Sequence, residues 1–130
     1  PRLDRLAALW QAALDAAEWD AAPVWIHGDL HPGNVIARGD ELVALIDFGD
    51  ITAGDPAYDL AIAWLAFDDD ARAVFRGELG DAYDDATWVR ARGWAAADAI
   101  LFLLHTDDDP EYAGLAVELL DELAPRTDNA

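Results

Sequence analysis

The chain has 130 residues, one domain's worth, enough for folding to bury roughly two thirds of the surface an unfolded chain exposes. It contains no cysteine, which excludes a disulfide scaffold, a thiol nucleophile, a thiolate zinc site and an iron-sulfur cluster together. Its 27 acidic residues, 21 of them Asp, stand against 8 basic ones, all Arg, giving a formal charge of -19 with no lysine; such a surface repels nucleic acid and attracts cations.

The opening PRLDRL has no signal-peptide pattern, so a cytoplasmic protein is the expectation. From Leu3 to Trp19, Leu3, Leu6, Trp10, Ala13, Leu14 and Ala17 recur at helical spacing, which predicts an amphipathic helix. Pro23 closes the link that follows, and Val24, Trp25 and Ile26 form a short strand ending at His27. GDLHPG, with two Gly and a Pro in six residues, is a loop.

Val35 to Ala37 and Leu42 to Ile46 are β-rich runs around Arg38-Gly39-Asp40-Glu41, a hairpin signal in which paired residue numbers should sum to about 79 to 81. That pairing sets Asn34 beside Ile46 and Asp47. A second loop, DFGDITAG, leads to Asp55-Pro56, an N-cap followed by Pro in the first helical position, and a helix carrying Tyr58, Leu60, Ala61, Trp64 and Leu65. Asp68 to Leu79 is a further helix with Gly80 as C-cap. Thr87 to Leu104 is a long one, with Trp88, Trp94, Ala95, Leu101 and Leu104 available for burial. Its AAADAILFLLH carries Asp98 and falls short of the ~18 uncharged apolar residues a membrane span needs. Asp109-Pro110 repeats the cap-and-Pro start for a last helix to about Ala124, followed by a frayed tail over 126–130. The clusters Asp68-Asp69-Asp70 and Asp107-Asp108-Asp109 precede helices as solvated caps, the other reading being the wall of a pocket for ammonium groups.

The informative stretch runs from Trp25 to Ala61. It presents Asp29 on a loop after a buried strand, Asn34 five residues on, and Asp47 at the end of the hairpin's return strand. Carboxylate and amide oxygens converging on one point suit a hard cation such as Mg²⁺, while Asp, Asn and Gly are equally ordinary turn residues.

HGDLHPGN followed by IDFGD resembles the catalytic and metal loops of the protein-kinase-like fold, H-x-D-x-x-x-x-N then D-F-G. Together with Gly28 and the trailing GDPAYDLA, the segment closely resembles the aminoglycoside phosphotransferase family of small-molecule kinases, including its macrolide-kinase relatives. The resemblance implies a mainly α fold with a small β-hairpin unit, the C-terminal lobe of that kinase-like architecture. It divides the chain into loops over 25–61 and a helical remainder over 62–125. By position, Asp29 is implied as the catalytic Asp that orients the acceptor hydroxyl, and Asn34 and Asp47 as the ligands of Mg²⁺ on the nucleotide phosphates. His27 is implied as a brace of the loop, and Asp59 as a buried Asp that hydrogen-bonds the loop backbone. His31 stands where protein kinases carry a Lys, either as a phosphate contact or as a loop-packing residue.

The fold's N-terminal lobe supplies a glycine-rich loop and a strand Lys, and neither is present ahead of Trp25. The expectation is therefore part of a phosphotransferase that moves the γ-phosphate of ATP or GTP onto a hydroxyl of an aminoglycoside, macrolide or related metabolite, conferring antibiotic resistance in the first two cases. The isolated chain is expected to be inactive, and neither a membrane nor a nucleic acid is an expected partner. The acceptor-binding residues are not readable. Two alternatives stay open: a non-catalytic kinase-like remnant or acidic interaction module, and a metal-dependent hydrolase built on His27, Asp29 and His31.

Overall fold

A computed structural model of the protein describes residues 2–105 and 110–123. In chain order it contains α1 (Arg2–Asp15), β1 (Val24–Ile26), a 3-10 turn (Pro32–Asn34), β2 (Val35–Arg38), β3 (Glu41–Leu45) and β4 (Thr52–Gly54). The rest is helical: α2 (Ala57–Leu60), α3 (Ile62–Leu65), α4 (Asp69–Leu79), a 3-10 turn (Gly80–Ala82), α5 (Asp85–Leu104) and α6 (Pro110–Leu123). The architecture is mostly helical with two small antiparallel sheets, β1 with β4 and β2 with β3. No helix among the described residues is long and apolar enough to cross a membrane.

The hairpin pairs Val35 with Leu45, Ile36 with Ala44, Ala37 with Leu42 and Arg38 with Glu41, which is the predicted register with a bulge between Ile36 and Ala37. Gly39 makes the turn possible at φ 59. The first helix and the second loop differ from the sequence reading. The first helix ends at Asp15, and Trp19 lies beyond it, its indole donating to the Ala22 carbonyl at 3.0 Å. The stretch read as a loop after Asp47 contains β4, because β1 needs a backbone partner and Thr52–Gly54 supplies one in antiparallel register, Ile26 against Thr52 and Val24 against Gly54.

The helix opened at Asp55-Pro56 is split in two around Ala61. Asp68 Oδ1 accepts the Ala71 N–H as the N-cap of α4, whereas α2 starts one residue later than read: Pro56 is its N-cap, and Asp55 Oδ1 accepts the Ala57 N–H at 2.9 Å from the residue before it. Asp68, Asp69 and Asp70 are all exposed, whereas Asp107, Asp108 and Asp109 lie outside the described residues, as does the tail. Gly80 closes α4 at φ 54, donating to the Arg76 and Gly77 carbonyls.

The core forms around α5, which packs against α1, α2 and α6. Its buried stripe is alanine, Ala91, Ala95, Ala96 and Ala99, with Trp88 at one end. Small side chains let the helices approach closely: a Cβ added at Gly93 would overlap that of Ala13 on α1. Trp64 and Trp88 meet edge to face at 6.2 Å. Leu101 and Leu104, read as available for burial, are 50% and 67% exposed instead; the close contact uses the alanine face and leaves them on the other side.

Two arginines hold the layers together. Arg72 on α4 donates to the Ala63 and Phe67 carbonyls and pairs with Glu122 on α6. Arg90 on α5, 8% exposed, bonds Asp55 at 2.8 Å and the Ala17 carbonyl beyond α1.

Candidate active site

Strand β1 delivers His27 and Gly28 to a loop held from below by one carboxylate. Asp59 on α2 accepts the His27 N–H at 2.6 Å through Oδ2 and the Gly28 N–H at 3.1 Å through Oδ1. Gly28 sits at φ 84, and a Cβ there would overlap the Asp50 carbonyl oxygen, so only glycine fits. The buried His27 ring donates from Nε2 to the Ile46 carbonyl at 2.8 Å, which leaves Nδ1 to accept the Asp29 N–H at 3.2 Å. Phe48 packs on the same ring at 4.7 Å. One imidazole thus joins the loop that carries Asp29 to the strand end that carries Asp47.

Asn34, 6% exposed, closes the loop from the other side. Its amide nitrogen donates to the Asp29 carbonyl at 2.8 Å and to Asp29 Oδ2 at 3.2 Å. Its backbone carbonyl accepts the Ile46 N–H at 3.0 Å, extending the hairpin ladder by one step and placing Asp47 next in line. His31 caps the 3-10 turn by accepting the Gly33 N–H on Nδ1, and its Nε2 lies 3.6 Å from Asp29 Oδ1. The ring meets Phe102 of α5 edge-on at 5.1 Å.

Asp29, His31 and Asn34 therefore stand together, with His27 and Asp59 supporting their backbone. Asp47 is exposed at φ 63, in the left-handed region, and its carboxylate makes no hydrogen bond among the described residues. Asn34 and Asp47 are hard oxygen donors of the kind Mg²⁺ takes. The Asn34 nitrogen is committed to Asp29, which leaves its amide oxygen for another ligand, and the Asp47 carboxylate is open; this donor set fits the ion. Among the described residues no group of three or more His, Cys, Asp or Glu converges on one point.

Beside Asp29 lies a cavity of about 130 Å³ lined by Leu30, His31, Tyr58, Asp98, Leu101 and Phe102. Tyr58 and Asp98 were not singled out from the sequence as site residues. Burial, and then the charge of Asp29, push the Asp98 carboxyl up to about 6 from its ordinary 3.8. The Tyr58 hydroxyl is raised first by burial and then by Asp98 and Asp29, so it remains a donor at neutral pH. The one sequence signal for Asp98 is that it is the sole charge in AAADAILFLL.

A loop braced by Asp59, an Asp bonded by an Asn, and an exposed Asp at the hairpin's end make up the candidate site. The model of the phosphotransferase enzyme family matches residues 1–94, and the chain belongs to that family. Among curated proteins, a homoserine kinase from Methylocella silvestris is 38% identical over 74 residues, 57% of this chain. The matched segment spans 23% of that relative's length. No solved structure matches the chain.

Proposed function

We propose that the chain is the C-terminal catalytic portion of an ATP-dependent kinase that phosphorylates a hydroxyl of a small molecule. The observation that supports this best is the double hydrogen bond from Asn34 to Asp29 at the mouth of a cavity. The homoserine kinase relative carries most of its length outside the matched segment, and we assign the phosphate-covering lobe and its Lys to the corresponding part of the parent protein. A cytoplasmic location, where ATP is available, goes with this reading.

In the proposed reaction Asp29 receives the acceptor's hydroxyl hydrogen. The acceptor oxygen bonds the γ-phosphorus, the bond to the bridging β-γ oxygen breaks with its electrons leaving on ADP, and the hydroxyl proton passes to Asp29. Bond-making lags in such a loose transition state, so Asp29 acts mainly by positioning. Asn34 fixes the carboxylate's rotamer, and His31 Nε2 stands 3.6 Å from the other carboxylate oxygen. Asn34 and Asp47 would hold Mg²⁺, which neutralises phosphate charge when bound.

Acceptors to test are aminoglycosides, macrolides, homoserine and amino-sugar metabolites. Phosphate transfer from ATP by the full-length protein that carries this chain is the measurement. Activity on at least one acceptor should fall about a thousandfold or more in Asp29→Ala; a variant as active as the wild type overturns the assignment. The 130-residue chain alone should transfer no phosphate.

A further inference from the structure

We infer that the groove between the β2–β3 hairpin and helices α3 and α4 seats an amphipathic helix from the part of the parent protein outside this chain, one whose apolar stripe ends in Arg or Lys. This takes from the kinase reading above only that the chain belongs to a longer protein; the transfer chemistry is not needed.

One face of the hairpin stands off the helices instead of resting on them. Val35, Leu42 and Leu45 look across a cavity of about 480 Å³ at Ile62 of α3, Phe75 of α4 and Phe67 between the two helices. Ile36, paired with Ala44, belongs to the opposite face, as strand alternation requires. A two-stranded sheet is marginal without a layer packed on it. Here Leu42 and Leu45 stay 62% and 40% exposed on the face that should carry that layer. Apolar surface walled on two sides marks a docking site, which a singly exposed leucine does not.

The shape and charge of the groove select its occupant. An added strand would pair with the hairpin's edge, whereas a groove between a sheet face and helices receives a row of side chains, which a helix supplies from one face. At the hairpin turn the groove carries Asp40 and Glu41, neither paired with a cation among the described residues, and no Arg lines it. A helix ending in Arg or Lys meets complementary charge there, while a second copy of this chain, at -19, is repelled. The homoserine kinase relative has most of its length outside the matched segment, ample chain for such a helix. The groove also touches the candidate site: Leu30, next to Asp29, lines both this groove and the small cavity beside Asp29, so a seated helix backs the loop through Leu30.

The test uses two positions of matched exposure. Leu42 in the groove and Val74 on α4 outside it are 62% and 65% exposed, and the chain has no cysteine of its own. Leu42→Cys and Val74→Cys are made singly in the full-length protein, and their reaction with N-ethylmaleimide is timed by peptide mass spectrometry. Position 42 should react at least about tenfold more slowly than position 74; equal rates overturn the inference. Ala37→Cys, also in the groove and close to alanine in bulk, takes the place of Leu42→Cys should that variant fail to fold. Asp40→Asn combined with Glu41→Gln should speed labelling at position 42 severalfold, and an unchanged rate overturns the basic character of the partner. A photo-reactive p-benzoylphenylalanine at position 42 identifies the occupant. Its cross-link should fall on a peptide of the same protein outside this chain, with apolar residues at helical spacing and an Arg or Lys; a cross-link within this chain, to a second copy, or to no peptide overturns the inference. Phosphate transfer is measured separately on the wild type. Protection of position 42 without transfer to any acceptor counts against the kinase reading, whereas transfer with equal labelling rates counts against the seated helix alone.

Discussion

Asn34 and Asp29 are joined twice, the Asn34 amide donating to the Asp29 backbone carbonyl at 2.8 Å and to its carboxylate at 3.2 Å. Backbone and side chain of the proposed base are thereby fixed by one buried residue. Removing that amide frees the carboxylate and leaves the Asp29 carbonyl without this donor. Asn34→Ala should destabilise the fold by about 1–3 kcal/mol and lower kcat by roughly a hundredfold or more. Urea unfolding and steady-state kinetics on the full-length protein check the two numbers, and a change confined to KM would contradict the positioning role.

Asp98 makes stability fall as pH rises. Its folded carboxyl is raised to about 6 from 3.8, so its neutral form is favoured in the fold. That stability is fully present below 3.8 and is lost as pH climbs through about 6. Asp29, His31 and Tyr58 face it across the cavity. The stability of Asp98→Asn minus that of wild type should grow by up to about 3 kcal/mol between pH 4 and pH 7 and then stay flat. Thermal melts across that range check it, and a difference independent of pH would show that Asp98 carries no such shift.

The pair Arg90 and Asp55 fastens three segments at once, α5, the entry to α2 and the link that follows α1. Arg90→Ala leaves a half-buried carboxylate without its cation and should destabilise by about 3 kcal/mol. Arg90→Met combined with Asp55→Ala should be milder than Arg90→Ala, because no charge is then stranded. Chemical denaturation of the two variants makes the comparison.

Gly28 and Gly39 both have positive φ, 84 and 59, yet they differ in surroundings. An added Cβ at Gly39 meets open space, whereas at Gly28 it runs into the Asp50 carbonyl. Gly39→Ala should therefore destabilise by about 1 kcal/mol, and Gly28→Ala by several times that, with loss of transfer activity. Equal melting temperatures for the two would refute the steric account.

Asp47→Asn keeps the side chain's shape and removes its charge. The magnesium concentration giving half-maximal phosphate transfer should rise by about an order of magnitude or more. An unchanged magnesium dependence would remove Asp47 from the proposed ligand set.

Local chemistry is what made parts of this fold legible in the sequence. The hairpin register followed from Gly39 and the two apolar runs, and the start at Asp68 and the stop at Gly80 followed from capping rules. Strand β4 was not legible, because Thr52-Ala53-Gly54 has little strand character of its own and exists through its pairing with β1. The depth of α5 was misjudged for a related reason: leucines at helical spacing outweigh small residues in any pattern count, but only the alanines and Gly93 permit the approach to α1. At the candidate site, Asp29, Asn34, Asp47, His27, His31 and Asp59 were legible from a motif. Asp98 was not, since what distinguishes it is a neighbour on a distant loop and the lack of a partner, two properties no single segment contains.

Asp47 occupies a backbone position that suits glycine, at φ 63. Replacing it with Gly would relax the turn by roughly 1 kcal/mol while deleting the open carboxylate. A library of variants ranked by melting temperature alone would therefore drift toward Gly at this position, and a protein optimised that way would be hardier and without its proposed magnesium ligand.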